Sequence, residues 1–142
     1  MSTTNDGWPV GKSSGQEAAG PKRVLLVDDH GVFRELLGVV LAHHAGFGES
    51  VQAESLAQAR RALDDHESEV DLAVVDLDLP GGSGLTLVEE LRGSSPGVPV
   101  VGVTASPDSE LHTRALEAGV SEVLATSASG KEVVATARRL GG

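Results

Sequence analysis

Cysteine is absent from this 142-residue chain, which removes a disulfide framework, a thiolate zinc site and a cysteine nucleophile together. The compartment stays open on that ground, with a lean toward the cytosol. Basic residues are scarce: 11 Lys and Arg stand against 21 Asp and Glu, for a formal net charge of −10. Binding nucleic acid draws on cations that neutralise phosphates, so non-specific DNA or RNA binding is disfavoured and no direct nucleic-acid partner is expected. No apolar run is long enough to cross a bilayer, and the opening MSTTNDGWPVGKSSGQ lacks the charged-then-apolar pattern of a secretory signal. Neither GxGxxG nor a P-loop glycine pattern occurs, so nucleotide cradling is unsupported. What remains is an acidic chain, expected to be soluble, cytoplasmic and free of membrane partners. Its 39% hydrophobic content suffices for one compact domain and not comfortably for two.

Residues 1–21 hold four Gly, two Pro and several Ser and Thr around an isolated Trp8, too little apolar surface to offset the entropy of ordering. A flexible tail is expected there, followed by one domain over 22–142. From Arg23 onward, short apolar runs alternate with helical periodicity. The runs RVLLV (23–27), SVQAE (50–54), DLAVVD (71–76), VPVVGV (98–103) and SEVLA (121–125) read as strands. Three are nearly continuous apolar stretches, as strands covered on both faces should be. Between them, the first helix (31–45) puts Phe33, Leu37, Val40, Leu41 and His44 on one stripe. Ser55 with Gln58 reads as a capping box opening the second helix, and Ser83, Asp108 and Ser129 as N-caps of the third, fourth and fifth. The pattern is (βα)5, an α/β class of doubly wound parallel sheet with right-handed crossovers. Such sheets bind ligands at the carboxyl ends of their central strands.

The first strand ends in Asp28-Asp29 and the third in Asp76, so neighbouring strands would gather three carboxylates at that rim. Like charges held together disfavour ionisation, and a hard divalent cation with oxygen ligands relieves them. Mg²⁺ suits short, stiff loops better than Ca²⁺, because few protein ligands leave room for the waters it keeps. The plainer alternative, that each Asp merely caps the helix after it, weakens when three occur at one rim.

Three segments, VLLVDDHGVFRELL (24–37), LAVVDLDLPGGSGLTLVEEL (72–91) and VVGVTAS (100–106), in this order and spacing, resemble the receiver domain of two-component response regulators over essentially all of 23–140. The fold this implies is the flavodoxin-like, CheY-like five-stranded sheet of order 2-1-3-4-5. His30 and Phe33-Arg34 resemble the receivers usually joined to a LuxR-type helix-turn-helix domain; with no residues left for that domain, a free-standing or isolated receiver is expected. The resemblance implies that Asp76 accepts a phosphoryl group from a partner histidine kinase as an acyl phosphate. It makes Asp29, Asp76 and the backbone carbonyl of Asp78 direct Mg²⁺ ligands, with Asp28 acting mainly through bound water. Pro80, Gly81, Gly82 and Gly84 would shape the loop beneath the site, and the Thr104 hydroxyl would donate to the phosphoryl group. No enzymatic activity is implied beyond self-phosphorylation and slow hydrolysis of the acyl phosphate. A downstream protein partner would read a helical face.

Two positions depart from that family. Spacing in AGVSEVLATSAS (118–129) puts Thr126 where receivers carry a Lys that pairs with the phosphoryl group. A charged hydrogen bond contributes roughly 1.5–3 kcal/mol against about 0.5–1.5 for a neutral one, so threonine replaces only part of it. Lys131, five positions on, falls in the first turn of the last helix and points elsewhere. Val123 stands where receivers have a Tyr or Phe, and valine is too short and too stiff at χ1 to alternate between buried and exposed positions. The expectation is an atypical switch: the acceptor parts are present, while two coupling parts are not.

Other chemistry reads as bland. His43-His44 point about 100° apart on a helix and lack a third ligand. Ser83, Ser94, Ser95, Ser106 and Ser127 show no nucleophile-elbow spacing. Arg60-Arg61 and Arg138-Arg139 read as solvated helix faces, with a kinase contact as the alternative. Two rival functions stay open. One is a phosphorylation-independent pseudo-receiver that dimerises through its fourth helix, fifth strand and fifth helix. The other is a Mg²⁺-dependent phosphatase, disfavoured because its D-x-D would be expected on the first strand rather than at 76–78.

Overall fold

A computed structural model of the chain describes residues 22–66, 70–106 and 108–141; the tail expected over 1–21, with Trp8, lies outside them. The elements are β1 (Lys22–Val27), α1 (Gly31–His44), β2 (Phe47–Ala53), α2 (Leu56–His66), β3 (Leu72–Asp76), a 3-10 turn (Pro80–Gly82), α3 (Ser83–Ser94), β4 (Val100–Thr104), α4 (Ser109–Ala118), β5 (Glu122–Ala125) and α5 (Gly130–Gly141). All strand pairs are parallel, in the order β2-β1-β3-β4-β5. The doubly wound (βα)5 sheet expected from the alternation of runs is therefore the fold. No helix among the described residues is long and apolar enough to cross a membrane.

Alternation along each strand builds two cores. Leu25 and Val27 of β1 and Ala73 and Val75 of β3 join Ala59, Leu87, Val88, Leu91 and Ala115 of α2, α3 and α4 on one face. Val24, Leu26, Leu72 and Val74 join Leu37 and Leu41 of α1 and Ala137 of α5 on the other. Every residue of β3 and β4 is buried, which is why their sequences read as unbroken apolar runs. Of the α1 stripe, Leu37 and Leu41 are buried, Phe33 and Val40 half-buried, and His44 is exposed.

The caps follow side-chain chemistry where a side chain is available. Asp108 accepts from the Glu110 N–H at 2.9 Å. Ser129 Oγ accepts from Glu132 N–H at 3.2 Å while Glu132 Oε1 accepts back from Ser129 N–H at 3.4 Å, a reciprocal capping box. Ser55 Oγ accepts from Gln58 N–H at 3.2 Å, but Gln58 returns its bond to Glu54 N–H rather than to Ser55. Ser83 is not the N-cap of α3: Gly82, in the left-handed region at φ 74°, holds that place without a side-chain bond, and Ser83 Oγ donates to Pro80 O at 2.8 Å. Two strand starts also move by more than one residue. β2 starts at Phe47 rather than Ser50, because the Phe47 ring is 1% exposed in the α1–α5 core. β4 starts at Val100, after Pro99, which has no N–H to give a ladder.

Candidate functional site

Strand register alone brings the first carboxylates together. Val27 pairs with Val75, so Asp28 and Asp76 are the next level at the carboxyl ends of adjacent strands. Asp76 in turn pairs with Val103, which puts Thr104 just beyond it. Asp28 and Asp76 are 6% and 3% exposed and Thr104 1%, all buried, while Asp29 is exposed.

Asp28, Asp29, His30 and Asp76 each present a ligand atom, and these atoms lie within 4.8 Å of one another. Asp28 Oδ1 accepts from His30 N–H at 2.8 Å, and His30 Nδ1 stands 2.9 Å away. The same Nδ1 is 3.2 Å from Asp29 Oδ1. Its hydrogen bond to Asp28, then the charges of Asp28 and Asp29, raise the His30 pKa above the usual imidazole value. Arg34 fixes the loop from beneath, donating from Nη1 to the Asp28 carbonyl and from Nε to Gln52 Oε1 at 3.0 Å.

Asp76 Oδ1 accepts from Asp78 N–H at 2.8 Å, whereas its Oδ2 is buried with no hydrogen-bond partner among the described residues. Burial pushes the Asp76 pKa up to about 6, and the charges of Asp28, Asp78 and Asp29 add to the push against the one N–H bond that lowers it. An orphaned carboxylate oxygen among acidic neighbours is a donor set suited to a hard cation, which would satisfy the oxygen and offset the charge. The residues present fit such an ion.

Gly84 sets how closely α3 approaches this strand end: a Cβ there would stand 2.3 Å from the Asp76 carbonyl oxygen. Thr126 N–H donates to Thr104 O at 3.0 Å, and Thr126 lines one cavity with Asp28, His30, Asp76, Asp78 and Ala105; among the described residues no Lys or Arg lines it. Lys131 lies instead in a groove with Val40, His44 and Arg138. Val123 is half-buried against the α2–α3–α4 core. The arginine pairs are partly tied within the chain: Arg60 to Glu90, Arg138 to the His44 carbonyl and Arg139 to Glu122.

Two residues exceed their sequence reading. His30, read only as a mark of resemblance to one group of receivers, sits on the acidic pair, a placement its adjacency in D-D-H foreshadows. Asp78, read for its carbonyl alone, uses its side chain: Oδ1 accepts from Thr104 Oγ1 and Oδ2 from Ala105 N–H, each at 2.7 Å. The D-L-D alternation around buried Leu77 carries that signal.

The response regulator receiver domain family matches residues 24–138 of the chain. Among curated proteins, the phosphate regulon transcriptional regulatory protein PhoB of Escherichia coli (strain K12) is 36% identical over 116 residues, covering 80% of this chain and 49% of PhoB. The chain thus spans about half the length of the curated relatives it matches. A solved two-component response regulator of the LuxR family from Aurantimonas sp. SI85-9A1 is 28% identical with a TM-score of 0.72, covering 82% of this chain and 81% of that one. A response regulator from Burkholderia pseudomallei, solved with a phosphorylated aspartic acid, a calcium ion and citrate, is 27% identical with a TM-score of 0.69, covering 80% and 65% respectively.

Proposed function

The chain belongs to the response regulator receiver domain family, and from that premise we propose that Asp76 accepts a phosphoryl group from a histidine kinase in Mg²⁺-dependent signalling. The observation that carries this is Asp76 itself: a buried carboxylate with one oxygen held by Asp78 N–H and the other unpartnered, at the rim where Asp28 and Asp29 converge. In the transfer, Asp76 Oδ2 bonds to phosphorus as the phosphorus–nitrogen bond of a phosphohistidine breaks, and the electron pair leaves with the imidazole. Asp28, Asp29, Asp76 and the Asp78 carbonyl would hold Mg²⁺, which supplies charge neutralisation for the phosphoryl oxygens. The relative solved with a phosphorylated aspartate and a divalent ion supports the pairing of these two features. The chain's own chemistry ends with slow hydrolysis of the acyl phosphate, and a downstream protein partner reads the result.

Thr126 favours a second reading. With no Lys or Arg among the described residues lining the cavity, the domain would act without phosphorylation, as an interaction or dimerisation module through α4, β5 and α5. One experiment separates the two. Incubation with Mg²⁺ and acetyl phosphate should add the mass of one phosphoryl group to the wild type and nothing to Asp76→Asn. Unmodified wild type that is dimeric by light scattering would instead support the second.

A further inference from the structure

The proposal above uses the backbone carbonyl of Asp78 and leaves its carboxylate without a role. That carboxylate is the joint acceptor for two donors at the end of β4, Thr104 Oγ1 and Ala105 N–H, both at 2.7 Å. Donors from consecutive residues converging on one ionised group make charge-assisted bonds, about twice as strong as neutral ones. A hydroxyl has a single proton to give. Thr104 gives it to Asp78 and uses its oxygen to accept from Ser106 N–H at 2.9 Å. With Thr104 only 1% exposed, water does not offer an easy alternative partner. The seat these donors form for an anion is therefore filled by the chain itself.

Asp76, Asp78 and Ala105 line the same cavity. We propose that the Asp78 carboxylate is a self-supplied anion that occupies Thr104 and Ala105 in the resting domain, so that a phosphoryl group on Asp76 must displace it to reach them. This rests on the reading of Asp76 as the acceptor. A ligand shifts a conformational equilibrium only through interactions that differ between the states. Where Asp78 already engages both donors, a phosphoryl group gains less by engaging them, and residues 104–106 at the end of β4 keep one arrangement before and after modification. Among the described residues no Lys or Arg lines this cavity, which works in the same direction, because no fixed side-chain cation there draws a second anion past the first.

The test uses isotope-labelled full chain with Mg²⁺, titrated with beryllofluoride and followed by amide NMR, in wild type, Asp78→Ala, Glu110→Gln and Asp76→Asn. Glu110→Gln removes one negative charge from the first turn of α4 without touching Thr104 or Ala105, which controls for the net charge of the chain. Before any beryllofluoride, Asp78→Ala should move the Ala105 amide proton upfield, as loss of a short charged hydrogen bond requires. Beryllofluoride should then bind Asp78→Ala roughly tenfold more tightly than wild type, the scale of one charged hydrogen bond. Glu110→Gln should match wild type, and Asp76→Asn should not respond. An unmoved Ala105 amide, equal affinity in wild type and Asp78→Ala, or an equal gain in Glu110→Gln overturns the occupancy of the donors and leaves Asp76 as acceptor. No beryllofluoride response in any variant, with Mg²⁺ shifts intact, overturns the acceptor reading and the competition with it.

Discussion

Gly84 lies against the carbonyl of Asp76 so closely that a Cβ would stand 2.3 Å from that oxygen and 3.0 Å from the Leu77 Cα. The neighbours are backbone, which cannot swing aside as a side-chain tip can. Gly84→Ala should therefore push the end of β3 and the start of α3 apart, costing about 1–3 kcal/mol or somewhat more as overpacking does. Chemical denaturation should show the loss. Mg²⁺ affinity should fall with it, since Asp76 shifts; a variant of wild-type stability and affinity would show that the close approach is relaxed in solution.

The pH dependence of the metal-free protein follows from Asp76. Its folded pKa is raised from 3.8 to about 6, so the folded state binds the proton more tightly. The stabilisation is present below pH 4 and is lost as pH rises through 6, about 2–3 kcal/mol in all. His30 acts in the same direction at higher pH: its pKa is raised, so its favourable contribution is full below 6.5 and fades as pH rises through the folded value. Urea unfolding without divalent ions should show stability falling from pH 4 to 7. In Asp76→Asn that fall should shrink, and the variant should be the more stable protein at pH 7.

Divalent ion should reverse that loss. Mg²⁺ at a hundred times its dissociation constant adds about 2.7 kcal/mol to a state that alone binds it. Thermal unfolding at pH 7 should shift upward with Mg²⁺ in wild type and hardly at all in Asp76→Asn. An equal shift in both would place the ion elsewhere.

Thr126 shares its cavity with Asp28, Asp76 and Asp78. Thr126→Lys puts a cation among them and should tighten beryllofluoride binding roughly tenfold, the gap between a charged and a neutral hydrogen bond. NMR titration reads this directly. Unchanged affinity would mean that the residue at 126 does not reach the acceptor.

Much of this was legible because a buried parallel strand must be apolar on both faces and must end where its ligands begin. The runs at 23–27 and 71–76 mark β1 and β3 for that reason, and their polar terminations locate Asp28, Asp29 and Asp76. The start of β2 was hidden because Phe47 is flanked by Gly46 and Gly48, a turn-like context that only the α1–α5 core overrides. Ser83 looked like a cap, yet the chain reverses through left-handed Gly81 and Gly82, and residue type does not say which of several adjacent turn formers takes the cap. Strand alternation orients side chains inside strands only. Beyond Asp76 it ends, so the D-D-H and D-L-D spacings bring His30 and Asp78 to the rim, while the atoms they reach, Asp28 Oδ1 and Thr104 Oγ1, needed three dimensions.

The most direct measurement is the location of the phosphoryl group. After incubation with Mg²⁺ and acetyl phosphate, borohydride reduces an aspartyl phosphate to homoserine, which peptide mass spectrometry assigns to a position. The account predicts homoserine at 76 in wild type, and none in Asp76→Asn. Homoserine at 28, 29 or 78 with 76 unmodified, or an unmodified chain, would contradict it.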